Sequence, residues 1–177
     1  MEYSKRVYLI GSRGCGKTSV GVGLARRLKS RFTDTDALLC EMQGKSVADI
    51  VEAEGWDVFR DYESAALIKA TEGDTLVIAT GGGMVLREQN RSFMREHGVV
   101  VFIDVPPAEL ARRLSVDPLD KQRPSLTGKS LIDEIAEVLA ERMHLYMESA
   151  QITVDGTQTV EEIIDNIVEL LETKPDS

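Results

Sequence analysis

Residues 7–28 read VYLIGSRGCGKTSVGVGLARRL, and three local patterns meet in them. VYLI is an apolar run with the length of a buried strand. GSRGCGKT, Gly11 to Thr18, satisfies G-x-x-x-x-G-K-[ST]. Val20, Leu24 and Leu28 then recur at four-residue spacing, the stripe of an amphipathic helix. In a strand–loop–helix setting the glycines let backbone N–H groups curl around a phosphate chain, and the helix N-terminus adds its positive end. Gly11, Ser12, Arg13, Gly14, Cys15, Gly16, Lys17 and Thr18 are therefore expected to hold a nucleoside triphosphate. Lys17 would reach the β- and γ-phosphates, and the Thr18 hydroxyl would ligate magnesium. The competing reading, a glycine-rich turn with an exposed lysine, does not need the full spacing or the flanking strand and helix. Cys15 is read as loop filler.

Outward from this unit, strand-like runs occur at 31–35 (RFTDT), 76–80 (LVIAT), 99–105 (VVVFIDV) and 151–155 (QITVD). Helical stripes lie between them: Ile132, Ile135, Ala136, Leu139 and Met143 in 130–148, and Ile163, Ile164, Ile167, Leu170 and Leu171 in 159–172. Continuous apolar strands separated by helices predict an α/β, doubly wound parallel sheet covered on both faces. Two regions break the alternation. About residues 36–73 hold more helix than one crossover requires, with a capping box at Ser46 and Asp49 and a second helix starting near Gly55 and Trp56, as in an inserted helical subdomain. About residues 115–129, SVDPLDKQRPSLTGK, have two prolines, a glycine and no apolar period, and read as a lid.

The 177 residues fit one domain. Net charge is −9 with 21 dispersed basic residues, which argues against a nucleic-acid partner. No stretch approaches the roughly 18 apolar residues of a membrane span. The start, MEYSKRVYLIG, shows no apolar leader, so a cytoplasmic location is expected. Cys15 and Cys40 lack metal or disulfide spacing, and His97 and His144 are too few for a histidine metal site. Small ligands are the expected partners.

Four further features carry chemistry. In DTD, Asp34 and Asp36, a strand period of two would place both carboxylates on one side at the sheet's carboxyl edge. One could orient magnesium's waters and the other meet an acceptor hydroxyl; the alternative is an acidic turn that caps the following helix. Asp104, closing VVVFID, is a second candidate for the metal. Arg60 in WDVFRDYE (with Glu63 one turn on), Arg123 in QRP and Arg142 in ERMHLY offer guanidinium forks for an anion, although any one alone could serve a surface ion pair. In VIATGGG, one glycine would suffice for a tight turn, so Gly81, Gly82 and Gly83 together argue for close approach of the backbone to a ligand.

GSRGCGKT, DTD, FRDYE, ATGGG, QRPSLTGK and ERMHLY, in that order over nearly the whole chain, resemble the shikimate kinase family. The resemblance implies ATP-dependent phosphorylation of the 3-hydroxyl of shikimate, giving shikimate 3-phosphate and ADP on the route to chorismate and the aromatic amino acids. It also implies a P-loop, nucleoside-monophosphate-kinase-like fold with five parallel strands in the order 2-3-1-4-5, a lid and a helical shikimate-binding subdomain. By position, Asp36 is similar to the aspartate that bonds the shikimate hydroxyls, and Asp34 to the one that organises Mg2+ through water. Arg60 and Arg142 correspond to the carboxylate clamp, and Gly81, Gly82 and Gly83 to the glycine turn at the ring. Arg123 corresponds to the lid arginine at the transferring phosphate, and Arg113, beside Arg112, to an adenine contact. The catalytic set implied is Lys17, Asp36 and Arg123, in an enzyme expected to be a monomer. DPLDKQRP is longer and more acidic than the family's shortest lids, so only Arg123 is carried over from it. Two other readings are a gluconate kinase on the same fold and a non-catalytic ATP-binding switch. ATGGG with the arginine pair argues against the first, and the presence of Lys17, Asp36 and Arg123 against the second.

Overall fold

The computed structural model describes residues 4–116 and 128–173. Its centre is β1 (Arg6–Ile10), whose Val7, Tyr8, Leu9 and Ile10 have no exposed surface. A strand buried on both faces needs paired neighbours on both edges. β3 (Thr75–Ala79) lies parallel on one side in the register Val7↔Val77, and β4 (Gly98–Asp104) on the other in the register Val7↔Val99. The edges are β2 (Arg31–Asp34), beside β3, and β5 (Ile152–Asp155), beside β4. The sheet is therefore parallel in the order β2-β3-β1-β4-β5, as expected.

Helices cover it: α1 (Lys17–Arg27), α2 (Thr35–Gln43), α3 (Val47–Ala70), α4 (Glu88–His97), α5 (Pro107–Val116), α6 (Leu131–Ser149) and α7 (Val160–Thr173). Val20 and Leu24 of α1 and Ile163, Ile164 and Ile167 of α7 enter the main core with the strands. The capping box on α3 is present: the Ser46 hydroxyl accepts from the Asp49 backbone, and the Asp49 carboxylate accepts from the Ser46 backbone. Gly55, at φ 87 and ψ 170, breaks α3 where a new helix was expected. This segment has its own small core of Leu39, Ile50, Phe59 and Ala66.

Three details differ from the sequence reading. In α4 the buried positions are Asn90, Arg91 and Met94, so its inward face is largely polar and no apolar stripe announces it. Asn90 and Arg91 instead donate to the carbonyls of Met84 and Val85, in the 3-10 turn Met84–Leu86 that follows the three glycines. On α6, Ile132 and Ala136 are exposed, and the inward face is Glu134, Ile135, Leu139, Tyr146 and Ser149. Finally, Ser115 and Val116 close α5, so the first two lid positions are helical; residues 117–127, including Arg123, lie outside the described residues.

Candidate active site

In an open parallel sheet, ligands meet the carboxyl ends of the strands. Three segments leave β1, β2 and β3 there: the loop Gly11–Gly16, the Asp34–Asp36 corner and the glycine turn Gly81–Gly83. They border two adjoining cavities that share Arg13, Asp36, Gly82 and Leu114.

The first cavity is lined by Gly14, Gly16, Lys17, Thr18, Asp34, Gly81 and Arg113, among others. Gly11, Gly14 and Gly16 adopt φ of 147, 80 and 98, a region favouring glycine, which curls the loop ahead of α1. Lys17 folds over that loop, its Nζ donating to Gly11 O at 2.7 Å and Ser12 O at 2.9 Å. Cys15 is buried with its sulfur 3.5 Å from Lys17 Nζ, a filler position.

β2 ends at Asp34, and Asp36 belongs to the first turn of α2, so the two carboxylates do not share a strand face as the period of two suggested. Asp34 meets the capping reading offered for the pair. Its Oδ1 caps α2 by accepting from the Asp36 and Ala37 backbone N–H groups, at 2.9 and 3.2 Å, and its Oδ2 accepts from the Thr18 hydroxyl at 3.0 Å. Two adjacent hard oxygen donors suit magnesium, which keeps most of its waters and takes few protein ligands. Among the described residues no cluster of three or more His, Cys, Asp or Glu could hold a metal. Asp104 lines neither cavity.

Arg113 and Arg112 separate cleanly. Arg113 donates to Cys15 O (3.3 Å), Gly156 O (2.7 Å) and Glu109 (2.9 Å), tying α5 to the phosphate loop, whereas Arg112 is exposed and pairs with Glu109. Both guanidiniums draw the Glu109 carboxyl down to about 2.

The second cavity is lined by Asp36, Trp56, Phe59, Arg60, Glu63, Gly82, Gly83, Arg142 and Tyr146, with Ile135 and Val138 on its apolar side. Arg60 donates to the buried Glu63 at 2.5 Å and lies 5.3 Å from the centre of the Trp56 ring and 5.4 Å from that of Phe59. Burial pushes the Glu63 carboxyl up, while the Arg60 and Arg142 guanidiniums pull against it. Arg60, from α3, and Arg142, from α6, thus reach one cavity from segments 82 residues apart.

The three glycines face three different partners. A Cβ on Gly81 would stand 2.7 Å from carboxylate oxygens of both Asp36 and Glu63, one on Gly82 would lie in ordinary contact 3.4 Å from Arg13 N, and one on Gly83 would collide with the Arg60 guanidinium. None of the three has a positive φ. Close approach accounts for Gly81 and Gly83, but what approaches is the site's own side chains rather than a ligand, and a Cβ on Gly82 would make only ordinary contacts. The Gly81 N–H is also taken, donating to the Thr35 hydroxyl at 3.2 Å, so it is not available to a ligand as expected.

Sequence reading missed Trp56, Phe59, Glu134 and Tyr146 as lining residues and noted Glu63 only as a neighbour of Arg60. Glu134, beside the stripe residue Ile135, is only 7% exposed, a burial that its charge and its place in the first turn of α6 did not announce.

The shikimate kinase family model matches residues 13–172. A curated relative, shikimate kinase 2 from Enterobacter sp. (strain 638), is 51% identical over 165 residues, covering 93% of this chain and 94% of its own length. The solved structure of shikimate kinase from Acinetobacter baumannii in complex with shikimate superposes with a TM-score of 0.90 at 32% identity, covering 97% of this chain and 95% of the other. A gluconokinase from Sinorhizobium meliloti, at 22% identity and a TM-score of 0.63, shares the fold.

Proposed function

The chain belongs to the shikimate kinase family, and from that premise we propose that it transfers the γ-phosphoryl group of ATP to the 3-hydroxyl of shikimate with the residues described above. The observation that carries the assignment of roles is the adjacency of the two cavities through Asp36 and Gly82. A phosphate held over Lys17 and a hydroxyl held at Asp36 meet at their junction.

The glycine-rich loop and Lys17 bind the phosphates, and the Thr18 and Asp34 oxygens would hold Mg2+, directly or through its waters. When bound, magnesium neutralises charge on the β- and γ-phosphates. In the second cavity, Arg60 and Arg142 grip the shikimate carboxylate, and Asp36 orients the acceptor hydroxyl and takes its proton as the phosphoryl group arrives. The ring lies against Gly82 and Gly83, with Ile135 and Val138 on the apolar side and Trp56 and Phe59 backing Arg60. Phosphoryl transfer asks little covalent work of a protein, so positioning and charge complementarity supply most of the acceleration. The helical segment of about 36–73 serves as the shikimate-binding subdomain; Arg123 at the transferring phosphate, Arg113 at adenine, and a cytoplasmic monomer complete the reading.

The direct test is ADP release with ATP, magnesium and one acceptor at a time. Shikimate is expected to support turnover at least about 100-fold faster than quinate or gluconate, because an acceptor that leaves buried polar groups unpaired is rejected strongly. Comparable rates with gluconate would overturn the assignment. Gly83→Ala tests the clamp from the other side: its methyl group displaces the Arg60 guanidinium, so the KM for shikimate should rise at least about tenfold, as expected when one of a pair of charge-assisted contacts is lost, while the KM for ATP stays unchanged. Equal effects on both substrates would show that the turn does not act through Arg60.

A further inference from the structure

Arg113 stands where three segments meet, and each gives its guanidinium one acceptor. Nη2 donates to Gly156 O in the loop after β5, Nη1 to Cys15 O in the phosphate loop, and Nε to Glu109 Oε1 one turn back on α5, at 2.7, 3.3 and 2.9 Å. Two of these acceptors are carbonyls on tightly held backbone. The Gly156 N–H donates to Asp104 O at 2.8 Å, and a Cβ on Gly156 would collide with Val105 and Ile103. The phosphate loop is likewise wedged against β4, where the absent Cβ of Gly11 lies 2.8 Å from Ile103 O and 2.9 Å from the Cys15 sulfur. Glu109 differs from both: it is a side chain, 27% exposed, with rotamers to choose among.

A partly exposed ion pair of this kind adds little to stability, so its effect has to be geometric. Two contacts leave a planar group free to rock about the line that joins them, and a third fixes its plane. Glu109 supplies that third contact. Three of the five guanidinium N–H groups are then occupied, and the cation keeps its flat face for the nucleotide cavity that it lines, the surface on which a heteroaromatic ring stacks. We propose that Glu109 is a positioning residue for the phosphate donor: it sets the plane of Arg113 on which the nucleobase stacks, and so governs affinity for the nucleoside part and not for the phosphates. The inference rests on the reading of Arg113 as the adenine contact. Its sign is opposite to that of simple electrostatics, because removing an anion beside a cavity for phosphates favours every phosphate ligand, whereas losing the stacking plane weakens nucleotides alone.

The experiment is calorimetric titration of the full chain with ADP and, separately, with inorganic pyrophosphate, Mg2+ being present in both. In Glu109→Ala the ratio of the two association constants should fall at least about fivefold, the size of a partly exposed cation–π contact, while pyrophosphate binds as in the wild type or more tightly. Glu109→Gln keeps an acceptor for the Arg113 Nε–H and should hold the ratio within about twofold of wild type. Arg112→Ala removes the exposed partner of the same carboxylate, leaves the bond to Arg113 in place, and should also stay within about twofold. Arg113→Ala should lower the ratio at least as far as Glu109→Ala. If Arg113→Ala keeps the wild-type ratio, the reading of Arg113 at the base falls and the proposal with it. If Arg113→Ala lowers the ratio and Glu109→Ala does not, or if Glu109→Gln or Arg112→Ala lowers it as far as Glu109→Ala, the proposal alone is overturned.

Discussion

Asp36→Asn is expected to reduce shikimate phosphorylation by at least about 1,000-fold, within the range seen when a positioned proton acceptor is lost, while ADP binding stays within about twofold of wild type. The substitution keeps size and shape and removes one negative charge. The phosphate loop's own contacts, Lys17 to Gly11 and Ser12 and Thr18 to Asp34, do not involve the Asp36 side chain, so the nucleotide cavity keeps its form. The acceptor hydroxyl loses the group that receives its proton. Single-turnover phosphorylation read beside ADP calorimetry separates these effects, and a variant with near-normal turnover would remove Asp36 from the mechanism.

Arg60→Ala and Arg142→Ala should each weaken shikimate binding by about 2 to 5 kcal/mol, the usual cost of truncating one partner of a buried charge pair. The two losses should differ in character. Arg60 shields Glu63, whose side chain is only 3% exposed, so Arg60→Ala also strands a buried carboxyl close to Asp36. Its shikimate affinity should then improve as pH falls toward the raised pKa of Glu63, because protonation removes the repulsion between that carboxylate and the ligand's. Arg142→Ala leaves the Arg60–Glu63 pair intact and should show no such recovery. Trp56, the chain's single tryptophan, lies against Arg60, so its fluorescence is the expected readout of binding. Unchanged shikimate affinity in both variants would dissolve the clamp.

How much of this was legible beforehand varies with how local the cause is. Gly11–Thr18 announced itself because its geometry is set within eight residues, and Ser46 with Asp49 because a cap is a three-residue interaction. Helix α4 was silent, since Asn90 and Arg91 are buried to hold carbonyls of a neighbouring turn rather than to exclude water. Tyr146 was silent for the same reason: LY at the end of a helix reads as packing until Gly82 O is found 2.7 Å from its hydroxyl.

Periodicity and spacing along the chain determined the parallel sheet and the phosphate loop, because those signals come from backbone preference and from burial of apolar area, whereas the set of charged residues came from the resemblance to a family. Only the tertiary structure decided which of two neighbouring arginines, Arg112 or Arg113, faces the loop, that Asp34 rather than Asp104 stands beside Thr18, and what Gly81 and Gly83 make room for. Those choices depend on contacts between segments far apart in the chain, and the approach of side chains across a cavity leaves no period in the sequence that specifies it.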